Sequence, residues 1–368
     1  ALLAFVKKQL QKTNVYRFLG GFLLWIYSPL CAQNIVWKTG VYSFFDNTEF
    51  GGSSVQIPQT MAGVHLAPEI GLSLKSKHRI FAGIDLLHEY GSNKAVDFYD
   101  LVIFYEYAAS PFRFYAGAIP RRLVLDKYPR MFFQDSILNY RPTINGVFWE
   151  YSVKNKYANV WLDWTSRQTH KRHETFFMGW SGRYSLGIFY AQHFGYMFHF
   201  AGMMEPGFDE SIHDNGLLLT SLGIDLSEKT GLEKLETNLG WSMGLDRDRG
   251  IGMWHKPQGV LSEIKIEYKG LGLLNTYYKG GRQQLYYNNH GNELYWGDPI
   301  YRSKEYNRID LYINFIRTPE VKLRFVYSLH LTEKQMYHEQ AFYATFDLDN
   351  LKKEKHEKRY QYLWDKWF

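Results

Sequence analysis

The sequence predicts an all-β fold, namely a closed antiparallel transmembrane β-barrel of about sixteen strands. Apolar residues recur at every second position through most of the chain, which is the period of a β-strand. Aromatic residues make up 18% of the 368 residues, as expected where rings gather at both membrane interfaces. Short and long connections alternate along the chain, which is typical of barrels with short periplasmic turns and long extracellular loops.

The hairpin from Arg308 to Thr332 shows the period most clearly. Each strand carries large apolar residues on one face and polar residues on the other, on either side of a turn at residues 318–320. In a soluble sandwich the apolar face would pack against a second sheet. In a membrane barrel it would face lipid, and the polar face would line a lumen. The hairpin alone is consistent with both.

The alternation predicts strands long enough to cross a bilayer at a tilt. They span residues 35–45, 61–75, 79–90, 96–108, 112–119, 143–154, 157–167, 174–183, 185–196, 215–227, 232–245, 258–269, 271–281, 306–317, 321–332 and 338–348. An even number of strands lets the last pair with the first, which leaves no open edge. A sandwich has no reason to alternate tight turns with long loops, so the barrel is favoured.

The chain divides into three predicted parts. Residues 1–33 have the features of a signal peptide, because basic residues and no acids precede a short apolar run. Residues 34–349 form the predicted barrel. Residues 350–368 form a charged and aromatic tail, expected to lie in the periplasm. An alternative hypothesis for this tail is an assembly signal recognised by the barrel assembly machinery.

Charge and cysteine content exclude several functions. Without residues 1–33 the chain keeps 39 basic and 37 acidic residues, a net charge of +2, so the overall charge of +6 is weak evidence for a nucleic-acid partner. Cys31 is the single cysteine and lies within the predicted signal peptide. The sequence therefore predicts no disulfide and no zinc–thiolate site beyond it. We expect no cofactor and no metal.

The connection at residues 119–142 combines basic and aromatic residues. An exposed loop this apolar would be costly, so we expect it to fold into the barrel as a constriction. Its charged residues would then set ion selectivity; they are Arg121, Arg122, Asp126, Lys127, Arg130, Asp135 and Arg141. Alternatively, these arginines pair with acids of the wall and pin the loop. The aromatics Tyr128, Phe132, Phe133 and Tyr140 are expected to pack on the wall rather than to form a track for sugars.

The polar faces of the strands predict the residues that line the lumen. The wall residues are Glu69, Asp85, Glu106, Arg113, Glu150, Glu236, Glu263, Lys265, Arg308, Asp310 and Arg324. Glu263 and Glu267 alternate with Lys265 and Lys269, which indicates a salt-bridged wall rather than a glycosidase pair.

This architecture, with its inward-folded third loop, resembles the Gram-negative outer-membrane porins, and the Tyr- and Trp-rich strands are similar to porin-like barrels of the Bacteroidetes. The resemblance covers most of residues 34–348 and includes no residue motif. It implies a protein integral to the outer membrane, in contact with its lipid. It further implies passive diffusion of small hydrophilic solutes such as anions or sugars, no enzymatic turnover, and assembly as a homotrimer.

Two hypotheses of other classes stay open. A barrel-type lipid hydrolase would need a histidine and a serine on the lipid-facing side. The predicted register places His65, His193 and His330 on the polar side, where Ser328 shares the face of His330. A sugar-binding surface β-protein would instead have two packed sheets and no lumen. His170 and His173 could form a metal pair, but a solvated loop is the simpler interpretation.

Overall fold

The computed structural model describes residues 33–205, 211–351 and 362–363. The predicted signal peptide up to residue 32, and most of the predicted tail, lie outside the described residues. No helix among the described residues is both long and apolar enough to span a membrane.

The described residues form sixteen β-strands, β1 to β16, and three short α-helices. The strands are β1 Gln33–Glu49, β2 Gln59–Leu74, β3 His78–Glu89, β4 Phe98–Ala109, β5 Phe112–Pro120, β6 Thr143–Val153, β7 Lys156–Ser166, β8 Thr175–Leu186, β9 Phe189–Phe200, β10 His213–Asp225, β11 Lys234–Asp248, β12 Gln258–Tyr268, β13 Leu271–Gly280, β14 Glu305–Arg317, β15 Val321–Thr332 and β16 Met336–Asp349. The helices are α1 Arg122–Leu125, α2 Asp135–Tyr140 and α3 Tyr287–His290.

Every strand pairs antiparallel with its neighbours, and the sheet closes on itself. The closing pair joins β1 to β16, with a register that runs from Lys38 opposite Asp349 to Glu49 opposite His338. Closure leaves no strand edge unpaired, which is the condition for a sheet to cross a membrane. The predicted fold class and the predicted number of strands are confirmed.

The outer face of the barrel is apolar along the predicted stripes. Ile70 on β2 and Leu239 on β11 are 62% and 61% exposed, as lipid-facing side chains should be. Outward aromatics gather towards both ends of the strands. Trp37 and Tyr268 lie at the end with short turns, and Trp164 lies at the other end, which we call the loop end. These positions are those of two interfacial belts.

Two long connections fill much of the lumen. We call residues 121–142 loop A, residues 281–304 loop B, and the two together the plug. The loops bond to each other through the backbone, with Gln134 N–H donating to Trp296 O at 2.8 Å and Asp298 N–H to Arg130 O at 3.0 Å. Gly297 permits this approach, since a Cβ there would lie 2.1 Å from a backbone oxygen of loop A.

Large aromatic side chains fix the plug to the wall. Phe132 and Trp296 are at most 1% exposed. The Trp296 ring lies 4.6 Å from that of Phe177 on β8, and Phe132 lies 5.8 Å from Tyr196 on β9. The inward face of β8 and β9 is therefore aromatic rather than polar. The prediction that loop A folds inward and that its aromatics pack on the wall agrees with these contacts, whereas the inward course of loop B was not predicted.

Candidate functional site

A dense set of charged and polar side chains, most of them buried, lies in the lumen near the loop end, where β14–β16 meet β1 and loop A. We call it the lumen centre; its members are Asp46, Thr48, Arg130, Asp135, Tyr306, Arg308, Asp310, Ser328, His330 and Glu339. Strand alternation turns the wall members inward. Closure of β1 onto β16 then brings residues from the two ends of the barrel sequence together.

His330 bridges a carboxylate and a hydroxyl. Its Nε2 lies 3.0 Å from Glu339 Oε2, and its Nδ1 lies 2.7 Å from the Tyr306 hydroxyl. The Nε2–Glu339 contact is a close ion-pair distance without hydrogen-bond geometry, whereas Nδ1 and the Tyr306 hydroxyl are hydrogen-bonded to each other. A carboxylate close to one imidazole nitrogen and a hydroxyl bonded to the other are the components of a general base.

Two arginines pair with three of the four carboxylates of the centre. Arg308 contacts Asp310 at 2.6 Å and Glu339 at 3.1 Å, and it also donates to Ser328 Oγ at 2.9 Å. Arg130 reaches in from loop A and contacts Asp135 at 2.6 Å and Glu339 at 3.7 Å. These carboxylates raise the pKa of Arg130 although burial alone would lower it. Both guanidinium groups are positioned to stabilise negative charge that develops nearby.

The centre borders two cavities of the lumen. A cavity of about 40 Å³, large enough for a water molecule, is lined by Asp46, Arg130, His330 and Glu339. A second cavity of about 440 Å³ is lined by Tyr306, Arg308 and residues of both loops. Asp298 of loop B lines both cavities, and burial raises the pKa of this carboxyl to about 6.

The carboxylates could also hold a cation. One oxygen from each of Asp46, Asp135 and Glu339 lies within 4.8 Å of the other two. Oxygen ligands of this kind suit hard divalent cations such as Ca²⁺ or Mg²⁺. No spacing in the sequence indicates this group, since the three residues come from β1, α2 and β16.

The predicted constriction residues of loop A have different environments. Arg121 is buried: its Nη2 lies 2.7 Å from Asp163 Oδ2 and its Nε donates to Arg141 O at 2.6 Å. It therefore pins the loop to β7, as the alternative hypothesis proposed. Arg141 stacks on Trp296, with the guanidinium carbon 4.6 Å from the ring centroid, and Lys127 lies 4.5 Å from the Tyr157 ring.

Other charged residues of loop A border open space in the lumen. Arg122, Arg130 and Asp135 line a cavity of about 310 Å³, and Asp126 borders the 440 Å³ cavity. Their role in a constriction stays a prediction. Tyr140 donates its hydroxyl proton to Glu89 on β3 at 2.7 Å.

The predicted wall residues all lie on inward positions of their strands, because buried and exposed positions alternate along each of them. Several form ion pairs with one another, such as Arg113 with Glu150 at 3.9 Å and Arg308 with Asp310 at 2.6 Å. His65 and His330 face inward as predicted, and both are at most 1% exposed. His170 and His173 make separate contacts, with Glu205 and with the backbone oxygen of Ala201.

The predicted placement of His193 on the lumen side is wrong. Inward and outward positions alternate along β9, and the buried residues Tyr190 and Phe194 are on the inward face. His193 therefore faces outward, beside Trp180 and Thr220. The cause is the aromatic inner face of β9, which packs against the plug and reverses the usual pattern. Trp180 Nε1–H donates to His193 Nε2 at 3.0 Å, so Nδ1–H must donate to Thr220 Oγ1 at 2.7 Å. A histidine that donates to the hydroxyl cannot accept its proton, so this lipid-facing pair is structural.

A serine–histidine contact also lies at the loop end, on the far side of the plug. Ser211 Oγ is 3.2 Å from His213 Nε2, and the Ser211 hydroxyl also bonds the Asp248 carboxylate. Among the described residues, His213 Nδ1 is buried with no hydrogen-bond partner, and no carboxylate of that part of the chain forms an ion pair with its ring. His330 differs in having the Glu339 carboxylate 3.0 Å from its Nε2.

Comparison with known families identifies the chain. Residues 31–354 match the model of the family described as Lipid A 3'-O-deacylase-type. The chain belongs to this family. The prediction that the protein is not an enzyme is therefore wrong, because the family is that of an ester-cleaving activity. The lipid-hydrolase alternative is favoured over the diffusion channel as the principal function.

Solved structures confirm the porin-like barrel. A loop-deletion variant of OmpT, an outer membrane protein of Vibrio cholerae, aligns with a TM-score of 0.52 at 8% identity, covering 86% of this chain and 100% of that one. The anion-selective porin from Comamonas acidovorans aligns with a TM-score of 0.52 at 10% identity, covering 86% and 99%. At this identity the likeness shows the fold alone. Among curated protein sequences no significant match is found.

The sequence indicated only some members of the lumen centre. Arg130, Asp135, Arg308 and Asp310 were predicted as pore residues, and Ser328 and His330 were noted on one face. The other four members had no signal in the sequence; they are Asp46, Thr48, Tyr306 and Glu339. Only closure of the barrel and the inward fold of loop A bring these residues together.

Proposed function

We propose that the protein is an outer-membrane enzyme that hydrolyses an ester of an acylated glycolipid of the lipid A class, and that the lumen centre carries the reaction. The observation that supports this site most strongly is the Glu339–His330–Tyr306 relay, in which His330 Nε2 lies 3.0 Å from the Glu339 carboxylate and His330 Nδ1 is hydrogen-bonded to the Tyr306 hydroxyl at 2.7 Å. Membership of a deacylase-type family supports the reaction class. The porin-like barrel supports location in an outer membrane.

The relay fits a hydrolysis by water. A water molecule adds to the ester carbonyl carbon, and its proton passes to His330 Nδ1 through the Tyr306 hydroxyl. Glu339 stabilises the imidazolium that forms. Arg130 and Arg308 stabilise the oxyanion of the tetrahedral intermediate. The carbon–oxygen ester bond then breaks, the alcohol oxygen takes the proton from His330 through the Tyr306 hydroxyl, and the fatty acid leaves as a carboxylate after its own acidic proton passes to solvent.

A bound divalent cation would fit this chemistry. Asp46, Asp135 and Glu339 are the residues that would hold it, and when bound it would supply positive charge beside the reacting carbonyl. Loss of activity in a chelator, restored by one added cation, would support this role. Full activity after chelation would mean that Arg130 and Arg308 alone stabilise the oxyanion.

Substitution of His330 tests the site. We expect His330→Gln to lower fatty-acid release from acylated glycolipid in mixed micelles by about 100-fold or more, the size typical of a lost general base. The matched control is His65→Gln, which removes another buried imidazole, one that lies 2.5 Å from Asp85 and lines none of the cavities described above. Equal loss in both variants, or loss only in Ser211→Ala, would overturn the assignment.

Passive passage of small hydrophilic solutes is a second candidate, supported by the porin-like barrel and by lumen cavities of about 310 and 440 Å³. The plug argues against a wide channel, because its two loops bond to each other through the lumen. Conductance across a planar bilayer tests this candidate. Stable ohmic steps from the wild-type protein would support it, and silence from a correctly folded barrel would exclude it.

A further inference from the structure

A row of polar and aromatic side chains crosses the outer face of five adjacent strands near the loop end. Trp164 on β7 pairs with Phe176 on β8, Phe176 with His199 on β9, His199 with Asp214 on β10, and Asp214 with Arg247 on β11. All five positions are outward by alternation with buried inward neighbours. We call these residues, together with Arg249 and Trp254, the outer row.

Charged residues on the outward face of a membrane barrel are costly at the bilayer midplane and tolerated near the interfaces, so this group fits the level of the lipid headgroups. The outer row holds two guanidinium groups against one carboxylate. Arg247 Nη2 lies 2.6 Å from Asp214 Oδ2, and Arg249 Nη2 lies 2.8 Å from Asp214 Oδ1. With His199 neutral, the group carries a net charge of +1. It is therefore an outward positive site rather than a balanced salt bridge.

The two guanidinium groups are held in place and remain accessible. Each donates through both Nε and Nη2 to Asp214, and Arg247 also stacks on Trp254 at 4.6 Å. The side chains of Arg247 and Arg249 are 28% and 45% exposed. Arginine donors pre-organised in this way match the oxygen atoms of a phosphate group.

The neighbouring rings indicate the depth of the site. Trp164 stacks on Phe176 at 5.2 Å, and Phe176 lies 5.1 Å from the His199 ring. Trp164 is 43% exposed on the same outward face. Tryptophan rings gather at the level of lipid headgroups, where one end meets hydrocarbon and the other meets water. The positive charge thus lies where the phosphate of a lipid in the adjacent leaflet would lie.

We propose that the outer row binds the phosphate group of a lipid in the leaflet at the loop end, outside the barrel and away from the lumen centre. This inference does not rest on the hydrolase proposal, since β9–β11 form a different part of the wall from β14–β16 and β1. The rings of Trp164 and Phe176 would contact the lipid beside its headgroup, and Arg247 and Arg249 would hold the phosphate oxygens.

Native mass spectrometry of the full chain in detergent micelles tests the proposal. The probes are a phosphate-bearing acylated glycolipid and its dephosphorylated form. We expect Arg247→Gln with Arg249→Gln to weaken binding of the phosphorylated lipid at least tenfold, because each charge-assisted contact is worth roughly a factor of ten. Binding of the dephosphorylated form should be weak for the wild type and unchanged by the substitutions.

The matched control is Lys279→Gln, since Lys279 is also an outward cation near the loop end but pairs one-to-one with Glu305 at 3.3 Å. It should bind the lipid as the wild type does. Heat-modified migration in gels establishes that each variant is folded. Equal affinity of the double variant and Lys279→Gln would overturn the proposal. Equally strong binding of both lipid forms by the wild type would also overturn it, because phosphate would then not be recognised.

Discussion

Replacing Trp296 with alanine should release the plug and leave the barrel closed. The ring is 1% exposed, contacts Phe177 at 4.6 Å, and carries cation–π contacts from Arg121 at 5.0 Å and Arg141 at 4.6 Å. Truncating a buried tryptophan costs about 3–5 kcal/mol, and the two cation–π contacts add roughly 1 kcal/mol. A loss of about 4–6 kcal/mol raises the open population of the plug roughly a thousandfold or more, since every 1.4 kcal/mol is a factor of ten.

Limited proteolysis measures this opening. Loops A and B should be cut far faster in Trp296→Ala than in the wild type, while the strands stay protected because all sixteen pairings are untouched. The matched control is Trp241→Ala, which removes a tryptophan that is 44% exposed on the lipid side. If both variants resist protease equally, the plug does not depend on its aromatic anchor and the packing argument is refuted.

Three further predictions concern charge. Burial raises the pKa of Asp298 to about 6, so the stability that its neutral form gives the plug, roughly 3 kcal/mol, is complete below pH 4 and is lost as pH rises through 6. Asp298→Asn keeps the hydrogen bond from Ile300 N–H, and protease resistance of loop B should then be equal at pH 4 and pH 8; a persisting pH dependence would exclude this carboxyl. Arg121→Ala leaves the Asp163 carboxylate buried without its ion-pair partner and should lower the free energy of unfolding, measured in urea from lipid vesicles, by about 3–5 kcal/mol. Arg122→Ala removes a guanidinium that lies on the Tyr42 ring and should lower it by about 1 kcal/mol or less. The reverse order would contradict the assignment of Arg121 as the residue that pins loop A. Leu239→Arg on the lipid face should cost about 2–4 kcal/mol in the same assay, and if arginine is tolerated as well as alanine, Leu239 does not face lipid.

The sequence was sufficient to predict the barrel but not to predict the lumen centre. A period of two fixes strand faces wherever lipid meets one side and polar groups the other, as for Leu239 and Ile70. The same period gave the wrong face for His193. Phe194 and Tyr196 point inward and pack on the plug, but their apolar pattern in the sequence is that of residues that face lipid. Loop B was missed for a related reason: its Tyr, Asn and Gly residues are typical of an exposed loop, although Tyr295 and Trp296 are 1% exposed.

The lumen centre depends on long-range closure. Asp46 lies near the start of the barrel sequence and Glu339 near its end, and only the pairing of β1 with β16 places them together. Arg130 and Asp135 arrive through the inward fold of loop A. Residues so far apart in sequence produce no local spacing that could indicate this site. The sequence instead directed the hydrolase hypothesis to the lipid face, where the structure shows His193 donating its Nδ1 proton to Thr220.

Ester hydrolysis in ¹⁸O-labelled water tests the central claim most directly. Purified protein in mixed micelles with an acylated glycolipid should release a fatty acid that carries one ¹⁸O atom in its carboxylate, and His330→Gln should abolish this release while His65→Gln retains it. The absence of labelled fatty acid from a folded, plugged wild-type barrel, with and without added divalent cation, would contradict the assignment of the lumen centre as a hydrolytic site.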